Sequence, residues 1–351
     1  MNIQTLTVRL VDGHPIDDLT AEIQGAADEI LTGAASPVQM ASFLTALHMH
    51  GETPGVVAQF AQVMRARAIP FRAPDGVILD TCGTGGDHSG TFNISTTAAF
   101  VAAGAGVRVA KHGNRSMTSK CGSSDVLAHL GIAIEAEGAE MEHALAEVGI
   151  CFLHAQRYHG SMKHVAPVRR ELGFRTMFNL LGPLANPARA NHQLIGVFEK
   201  KAAHLMAQVL NILGAESALV VHGSDGLDEI TVTGETYAYR VKEGRVEEML
   251  LNPHVLGFDM ASPEDLKGGD AAENAQILLD ILSGKETGPR LDIVLLNAGA
   301  AIHVAGEAES LIQGIEKARE VIASGAALAK LQGLQKLSQH YHPELFPGKG
   351  N

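Results

Sequence analysis

From Val77 onward, short β-branched runs alternate with alanine-rich helical stretches, and no other feature narrows the possible folds as much. Val77–Asp80, Val107–Ala110, Ala218–His222 and Leu291–Leu296 each read as a short strand between loop or helix signals. Such alternation packs as a mostly parallel central sheet covered by helices, so this part is expected to be α/β. The residues before it follow another period. Ile23, Ala26, Ala27, Ile30 and Leu31 fall at three- and four-residue intervals, and Phe43–Met49 and Val56–Met64 repeat the pattern. Loops at Gly33–Ser36 and Gly51–Gly55 separate these helices, and Pro70–Gly76 reads as a linker. The expected architecture is a small all-helical domain, residues 1–75, plus a larger α/β domain, residues 76–338, with a mostly parallel central sheet. A basic helical stretch at about 161–190 is expected to leave the sheet and pack back on the first helices. Thr233–Leu251 alternates about a glycine turn and reads as an antiparallel hairpin. One long helix is expected over Ser310–Leu337, followed by a polar, Pro/Gly-rich tail, residues 339–351.

Charge and cysteine content exclude several classes of function. Asp and Glu outnumber Lys and Arg by 39 to 27, a net charge of −12, so the long-range field repels nucleic acid and anionic lipid. Any phosphate site must be built locally. Cys82, Cys121 and Cys151 form neither a disulfide framework nor a paired zinc spacing, and read as reduced packing residues in a cytoplasmic chain. The start of the sequence carries no secretory pattern, and the apolar stretch Thr96–Ala110 falls short of the roughly 20 residues of a membrane span.

Four segments carry chemistry. The first is Asp80-Thr-Cys-Gly-Thr-Gly-Gly-Asp-His-Ser-Gly-Thr-Phe-Asn-Ile-Ser-Thr96, a strand, a glycine-rich loop and a helix start capped by Asn93, Ser95 or Thr96. Glycines let backbone N–H groups converge, and the helix end adds positive potential, which together make an anion site. It is neither a Walker A loop, lacking Gly-Lys-Ser/Thr, nor a dinucleotide fingerprint, since His88 holds the third glycine position. The second, Val109 to Asp125, places Lys111, Asn114, Arg115 and Ser123 after a strand, with Ser123, Ser124 or Asp125 capping helix Val126–Leu130. Loops that follow parallel strands face one crevice, so its cations balance phosphate held by the first loop. The third, Val220 to Ile230, offers Asp228 and Glu229, hard oxygen ligands suited to Mg²⁺ bridging to substrate phosphate, or else a solvated acidic turn. In the fourth, Tyr158 to Glu171, either Arg169 or Arg170 offers a planar fork to a carboxylate, or both pair with Glu171.

Taken together, Gly-Thr-Gly-Gly-Asp (83–87), Asn-Ile-Ser-Thr (93–96), Lys-His-Gly-Asn-Arg (111–115), Gly-Ser-Ser-Asp (122–125), Val-Arg-Arg-Glu-Leu-Gly (168–173), Phe-Asn-Leu-Leu-Gly-Pro-Leu-Ala-Asn-Pro (178–187) and Asp-Gly-Leu-Asp-Glu (225–229) resemble the anthranilate phosphoribosyltransferase family, in its order and spacing, from about Ile16 to Leu337. The resemblance implies a fold of the nucleoside phosphorylase/phosphoribosyltransferase type and a homodimer joined through the helical part. It implies transfer of phosphoribosyl from phosphoribosyl pyrophosphate to the amino group of anthranilate, in tryptophan biosynthesis, with Mg²⁺ and without a covalent nucleophile. It also implies site roles. Gly83, Gly85, Gly86, Asp87, Thr91, Asn93, Ser95, Thr96, Lys111 and Ser123 would hold phosphoribosyl pyrophosphate. Ser95, Asp228 and Glu229 would hold the metal, and Gly83, Asn114, His159 and Arg169 would line the anthranilate channel. Two positions depart from the family: Gly160 stands where proline usually follows the channel histidine, and Cys121 replaces a usual serine. The alternatives are a pyrimidine-nucleoside phosphorylase, opposed by the Lys-His-Gly-Asn and Asp-Glu elements, and a non-enzymatic nucleic-acid-binding relative, opposed by the negative charge.

Overall fold

The computed structural model describes residues 2–16, 20–114 and 121–345; Arg115 and the tail beyond 345 lie outside the described residues. Four helices come first: Ile3–Val11, Thr20–Thr32, Pro37–His50 and Pro54–Arg67. The first of these is absent from the sequence expectation. It buries Ile3, Leu6 and Leu10, one apolar stripe at helical spacing, and Asn2 caps it by accepting from the Thr5 N–H. In helix Pro37–His50 a capping box, with Ser36 and Gln39 each serving the other's backbone N–H, fixes the start, and Pro37 follows it.

The sheet has seven strands: β1 Leu79–Gly83, β2 Val109–Gly113, β3 Ile150–His154, β4 His192–Gly196, β5 Ser217–Gly223, β6 Thr236–Lys242 and β7 Arg245–Leu251. Their order is β3-β2-β1-β4-β5-β6-β7, parallel through β5 and antiparallel for the last two pairs. The β6–β7 hairpin turns on Glu243 and Gly244, both at positive φ (51° and 73°), the pattern of a tight two-residue hairpin turn. The chain builds β1, β2 and β3 to one side and then returns to place β4 on the other flank of β1. Strand order therefore reverses at β1 and β4, and a crevice opens beyond their carboxyl ends.

Each face of the sheet carries its own core. One is filled by helices Ile94–Gly104, Pro289–Val304 and Ala326–Tyr341, among others. On the other face, the first four helices pack with helices Ala166–Leu172, Phe178–Leu184 and Lys200–Ile212. The excursion from the sheet thus packs back on the N-terminal helices.

Four expectations need correction. Leu291–Leu296 is not a strand but the middle of helix Pro289–Val304, where residues 293–302 are all buried. A run apolar on every side suits a fully enclosed helix as well as a central strand, and Pro289 at the first turn marks the helix start. The long helix expected over Ser310–Leu337 is two, Leu311–Ala323 and Ala326–Tyr341, broken where Gly325 takes a φ of +77°. The second of them runs past residue 338, where the tail was expected to begin, to Tyr341. The next residue, His342, meets Glu140 at 2.7 Å. The helix expected over Val126–Leu130 begins earlier, at Ser123, with Gly122 as its cap residue.

Candidate active site

The crevice floor is made by two glycines that face each other in register, Gly83 ending β1 and Gly196 ending β4. A Cβ on Gly196 would stand 1.5 Å from the Asp228 carbonyl, and one on Gly83 would stand 2.4 Å from its carboxylate. Only bare backbone lets the Asp-Gly-Leu-Asp-Glu loop lie across both strand ends. The Gly85 N–H then donates to Asp228 Oδ2 at 2.9 Å, and the Ser95 N–H, at the start of helix Ile94–Gly104, donates to Glu229 Oε1 at 3.1 Å. Gly85, Gly86 and Gly90 take positive φ, which turns the loop back over the crevice. Asp87 folds the loop internally by accepting from the Ser89 hydroxyl at 2.5 Å. The carbonyl of Gly86 accepts from Arg175, whose guanidinium stacks over Phe198 at 3.9 Å.

Three carboxylates converge here. Burial, and after it the Asp87 carboxylate, pushes Asp228 well above the usual carboxylate range; burial and then Asp228 do the same for Glu229. Lys111 opposes the rise at Glu229. It is itself buried, donating to the Thr81 carbonyl and lying 3.4 Å from the Ser95 hydroxyl. Among the described residues no three His, Cys, Asp or Glu side chains form a ready-made metal cage. The donor set nonetheless fits Mg²⁺: two carboxylates held in repulsion, each with one oxygen engaged by a backbone N–H, beside a hydroxyl. Mg²⁺ keeps waters and completes its shell on substrate phosphate, so a full protein cage is not required.

The second loop closes from β2. Asn114 follows the strand directly, and its carbonyl accepts from the Ser123 hydroxyl at 3.2 Å and the Ser124 N–H at 3.4 Å. Asn93 is the cap residue of helix Ile94–Gly104, but its side chain does not cap it; it reaches toward Cys121 and Asn274. The Cys121 thiol meets Asn93 Oδ1 at 3.7 Å as a weak donor. Thr91 bridges to Lys267, and Thr96 is buried beside Lys111.

Successive residues of a strand face opposite sides of a sheet, so next to Lys111 the side chain of His112 turns toward the helical bundle. Its Nδ1 lies 3.0 Å from the Gly182 carbonyl, and Nε2 is buried with no hydrogen-bond partner among the described residues. Burial, and then His159, pushes its pKa down to about 3. His159 is buried too, and burial lowers its pKa to about 4 against the opposing pull of the Ala185 backbone. The rings meet edge to face at 5.2 Å. Arg169 stands on the same side, half-buried over Phe178 at 5.9 Å, with burial lowering its pKa; Arg170 and Glu171 are exposed. Among the described residues the Arg169 guanidinium has no hydrogen-bonded acceptor. A half-buried guanidinium fork with no anion opposite it keeps donors that a carboxylate would satisfy.

Sequence reasoning missed His112, although it sits inside a quoted motif, because the motif drew attention to the lysine. It also missed Asp80 and Asn186. The buried Asp80 carboxylate accepts from the His112 N–H at 3.0 Å and from Asn186 Nδ2 at 2.8 Å; the same amide donates to the Ala110 carbonyl at 2.8 Å. Three side chains then take the carbonyls of the adjoining helix end: His112 that of Gly182, Gln193 that of Pro183 and Arg65 that of Leu184. The Asn-Leu-Leu-Gly-Pro-Leu-Ala-Asn-Pro motif is thus the buckle between bundle and sheet.

Two family models match the chain. A glycosyl transferase family, helical bundle domain, covers residues 4–68, and a glycosyl transferase family, a/b domain, covers residues 75–328. Fold and site together define a glycosyl transferase with a helical bundle set on an α/β sheet. Its branch follows from individual relatives. Anthranilate phosphoribosyltransferase of Roseiflexus castenholzii is 51% identical over 340 residues, 96% of this chain and 99% of that one. That of Rubrobacter xylanophilus is 52% identical over 327 residues, 93% and 95% of the two chains. The crystal structure of the Thermus thermophilus enzyme matches with a TM-score of 0.88 at 42% identity, covering 95% of this chain and 99% of that one. The Saccharomyces cerevisiae enzyme in complex with PRPP and Mg matches with a TM-score of 0.86 at 28% identity, covering 96% and 98%. The chain belongs to the anthranilate phosphoribosyltransferase family.

Proposed function

We infer that the chain transfers the 5-phosphoribosyl group from phosphoribosyl pyrophosphate to the amino group of anthranilate, giving N-(5'-phosphoribosyl)anthranilate and pyrophosphate. One observation carries this reading. A glycine loop with converging carboxylates ends β1, and a half-buried guanidinium with no acceptor among the described residues lies over Phe178, in the helix whose far end His112 and Gln193 tie to β2 and β4. Gly83, Gly85, Gly86, Asp87, Thr91, Asn93, Ser95, Thr96, Lys111 and Ser123 would hold phosphoribosyl pyrophosphate, and Gly83, Asn114, His159 and Arg169 would hold anthranilate. Ser95, Asp228 and Glu229 would hold Mg²⁺, which when bound neutralises charge on the departing pyrophosphate.

The chain's own residues then do the rest. Backbone N–H groups of the glycine loop and Lys111 bind the phosphates. Arg169 fixes the anthranilate carboxylate, which aims the amine at the ribose carbon from the side opposite the pyrophosphate. The aromatic amine is neutral at pH 7, so its lone pair forms the new C–N bond as the C–O bond to pyrophosphate breaks; the spare proton leaves the nitrogen afterwards. His112 and His159, which burial keeps neutral at pH 7, add no positive charge of their own beside Arg169. No covalent intermediate on the protein is needed.

The relatives named above are anthranilate phosphoribosyltransferases rather than pyrimidine-nucleoside phosphorylases, which leaves no support for that alternative. We propose the division into residues 1–75 with 161–190 and a larger α/β part from residue 76, supported by the packing of helices Ala166–Leu172 and Phe178–Leu184 with the first four helices. Exposed Val8, Val11, Val38, Met49 and Phe174, on the N-terminal helices and the excursion, support a homodimer through the bundle. Among the described residues no helix is long and apolar enough to cross a membrane, and the buried Cys82, Cys121 and Cys151 fit a reducing, cytoplasmic setting. Pyrophosphate release tests the activity: it should require anthranilate, and release of equal rate without anthranilate would mean that water is the acceptor.

A further inference from the structure

The stretch Lys267-Gly268-Gly269-Asp270 lies against the phosphate loop, and none of the chemistry above uses it. The Phe92 N–H donates to the Leu266 carbonyl at 3.2 Å, and the Gly268 N–H donates to the Gly90 carbonyl at 3.0 Å. A Cβ on Gly268 would stand 2.7 Å from the Phe92 backbone, so only glycine lets the segments lie this close. Asp270 then caps helix Ala271–Leu282, accepting from the Ala272 and Glu273 N–H groups, and this fixes Asn274 in the first turn.

Asn274 is 2% exposed, and its orientation is forced. A backbone N–H can only donate, so the atom that meets the Gly269 N–H at 2.8 Å is the acceptor Oδ1. That turns Nδ2 toward Asn93 at 3.0 Å, and the Asn93 atom facing it must be Oδ1. The Cys121 thiol donates to the same oxygen. Asn93 Nδ2 is therefore turned away, and its contact among the described residues is a long 3.4 Å bond to the Cys121 carbonyl. We propose that Asn274 is a positioning residue: through its amide it holds Asn93 so that the NH₂ edge, and not the carbonyl, faces the oxygens of phosphoribosyl pyrophosphate. The proposal rests on the assignment of Asn93 to that substrate. Phosphate oxygens only accept, so a flipped Asn93 would replace an attraction with a repulsion.

The test is Asn274→Asp, the same size but an acceptor toward Asn93, made alone and in an Asn93→Ala background. The readouts are KM for each substrate, kcat and the Kd of phosphoribosyl pyrophosphate by calorimetry. In the otherwise native chain, KM and Kd for phosphoribosyl pyrophosphate should rise about tenfold, with KM for anthranilate within about twofold. In the Asn93→Ala background the same change should move both by less than about twofold. An equal rise in both backgrounds, or a parallel rise in both substrates' KM, overturns the proposal. Asn93→Ala without effect overturns the assignment of Asn93 and the proposal with it; Asn93→Ala with effect and Asn274→Asp without overturns the proposal alone. If Asn274→Asp does not fold, Asn274→Ala takes its place under the same criteria, since it removes the donor without adding charge.

Discussion

Replacing Arg169 with alanine separates binding from stability in a way the geometry makes quantitative. Among the described residues the guanidinium has no hydrogen-bonded acceptor, so the free protein loses no hydrogen bond. It loses one cation–π contact with Phe178 at 5.9 Å, worth about 0.5 kcal/mol. Against that, burial lowers the Arg169 pKa, which means the fold disfavours its charge, and truncation removes that cost. The net change in stability should stay within about 1 kcal/mol, a shift in Tm of no more than about 2 °C for a chain of this size. The bound carboxylate loses a charge-assisted fork worth about 2–3 kcal/mol, which raises KM for anthranilate about 30- to 150-fold. Arg169→Lys should fall between, since it keeps the charge and loses the fork. The assay is initial rate against anthranilate concentration at saturating phosphoribosyl pyrophosphate, repeated with aniline, which lacks the carboxylate. Wild-type protein should prefer anthranilate and Arg169→Ala should lose most of that preference. An unchanged preference, or a Tm that collapses, refutes the reasoning.

Other expectations follow from the same geometry. Asp228→Asn with Glu229→Gln should cut the Mg²⁺-dependent rate about 10²- to 10³-fold, measured across a metal titration. The same pair carries a stability signature. Both carboxyls have folded-state pKa values raised above their unfolded values, so their contribution is present at low pH and is lost as pH rises toward the raised values. The metal-free wild type should therefore lose more Tm than the double variant between about pH 5 and about pH 8. Gly196→Ala puts a Cβ 1.5 Å from the Asp228 carbonyl, so it should cost about 1–3 kcal/mol of stability and raise the Mg²⁺ concentration needed for half-maximal rate. Gly160 opens the turn Gly160–His164, has open space at its Cβ position and takes no positive φ, so Gly160→Pro should raise stability by about 0.4–1 kcal/mol in thermal unfolding and leave KM for anthranilate unchanged.

What the sequence made legible was local. Glycines between a strand and a helix, carboxylates after a strand and an arginine in a basic helix are short-range patterns, and the first two meet at the crevice. Strand ends were placed early, as with Val77–Asp80 against Leu79–Gly83, because β1 and β2 each run on into glycine, which ordinarily breaks a strand. Leu291–Leu296 misled because enclosure on all sides erases the helical period. The hidden part of the site is made of pairs far apart in the chain. Asp80 with Asn186 spans 106 positions and Asn93 with Asn274 spans 181, and no periodicity connects them. His112 was visible as a residue and invisible as a role, because its function depends on which face of β2 meets the bundle.

The most direct test of the central claim uses anthranilate's own fluorescence. Purified protein is mixed with anthranilate and phosphoribosyl pyrophosphate, with and without Mg²⁺, and the emission is followed over time. Decay that requires phosphoribosyl pyrophosphate and is restored by Mg²⁺ after chelation is the predicted result, and it reports donor, acceptor and metal together. Constant emission with Mg²⁺ present, while calorimetry shows both substrates bound, would contradict the account: the two sites would exist without the transfer between them.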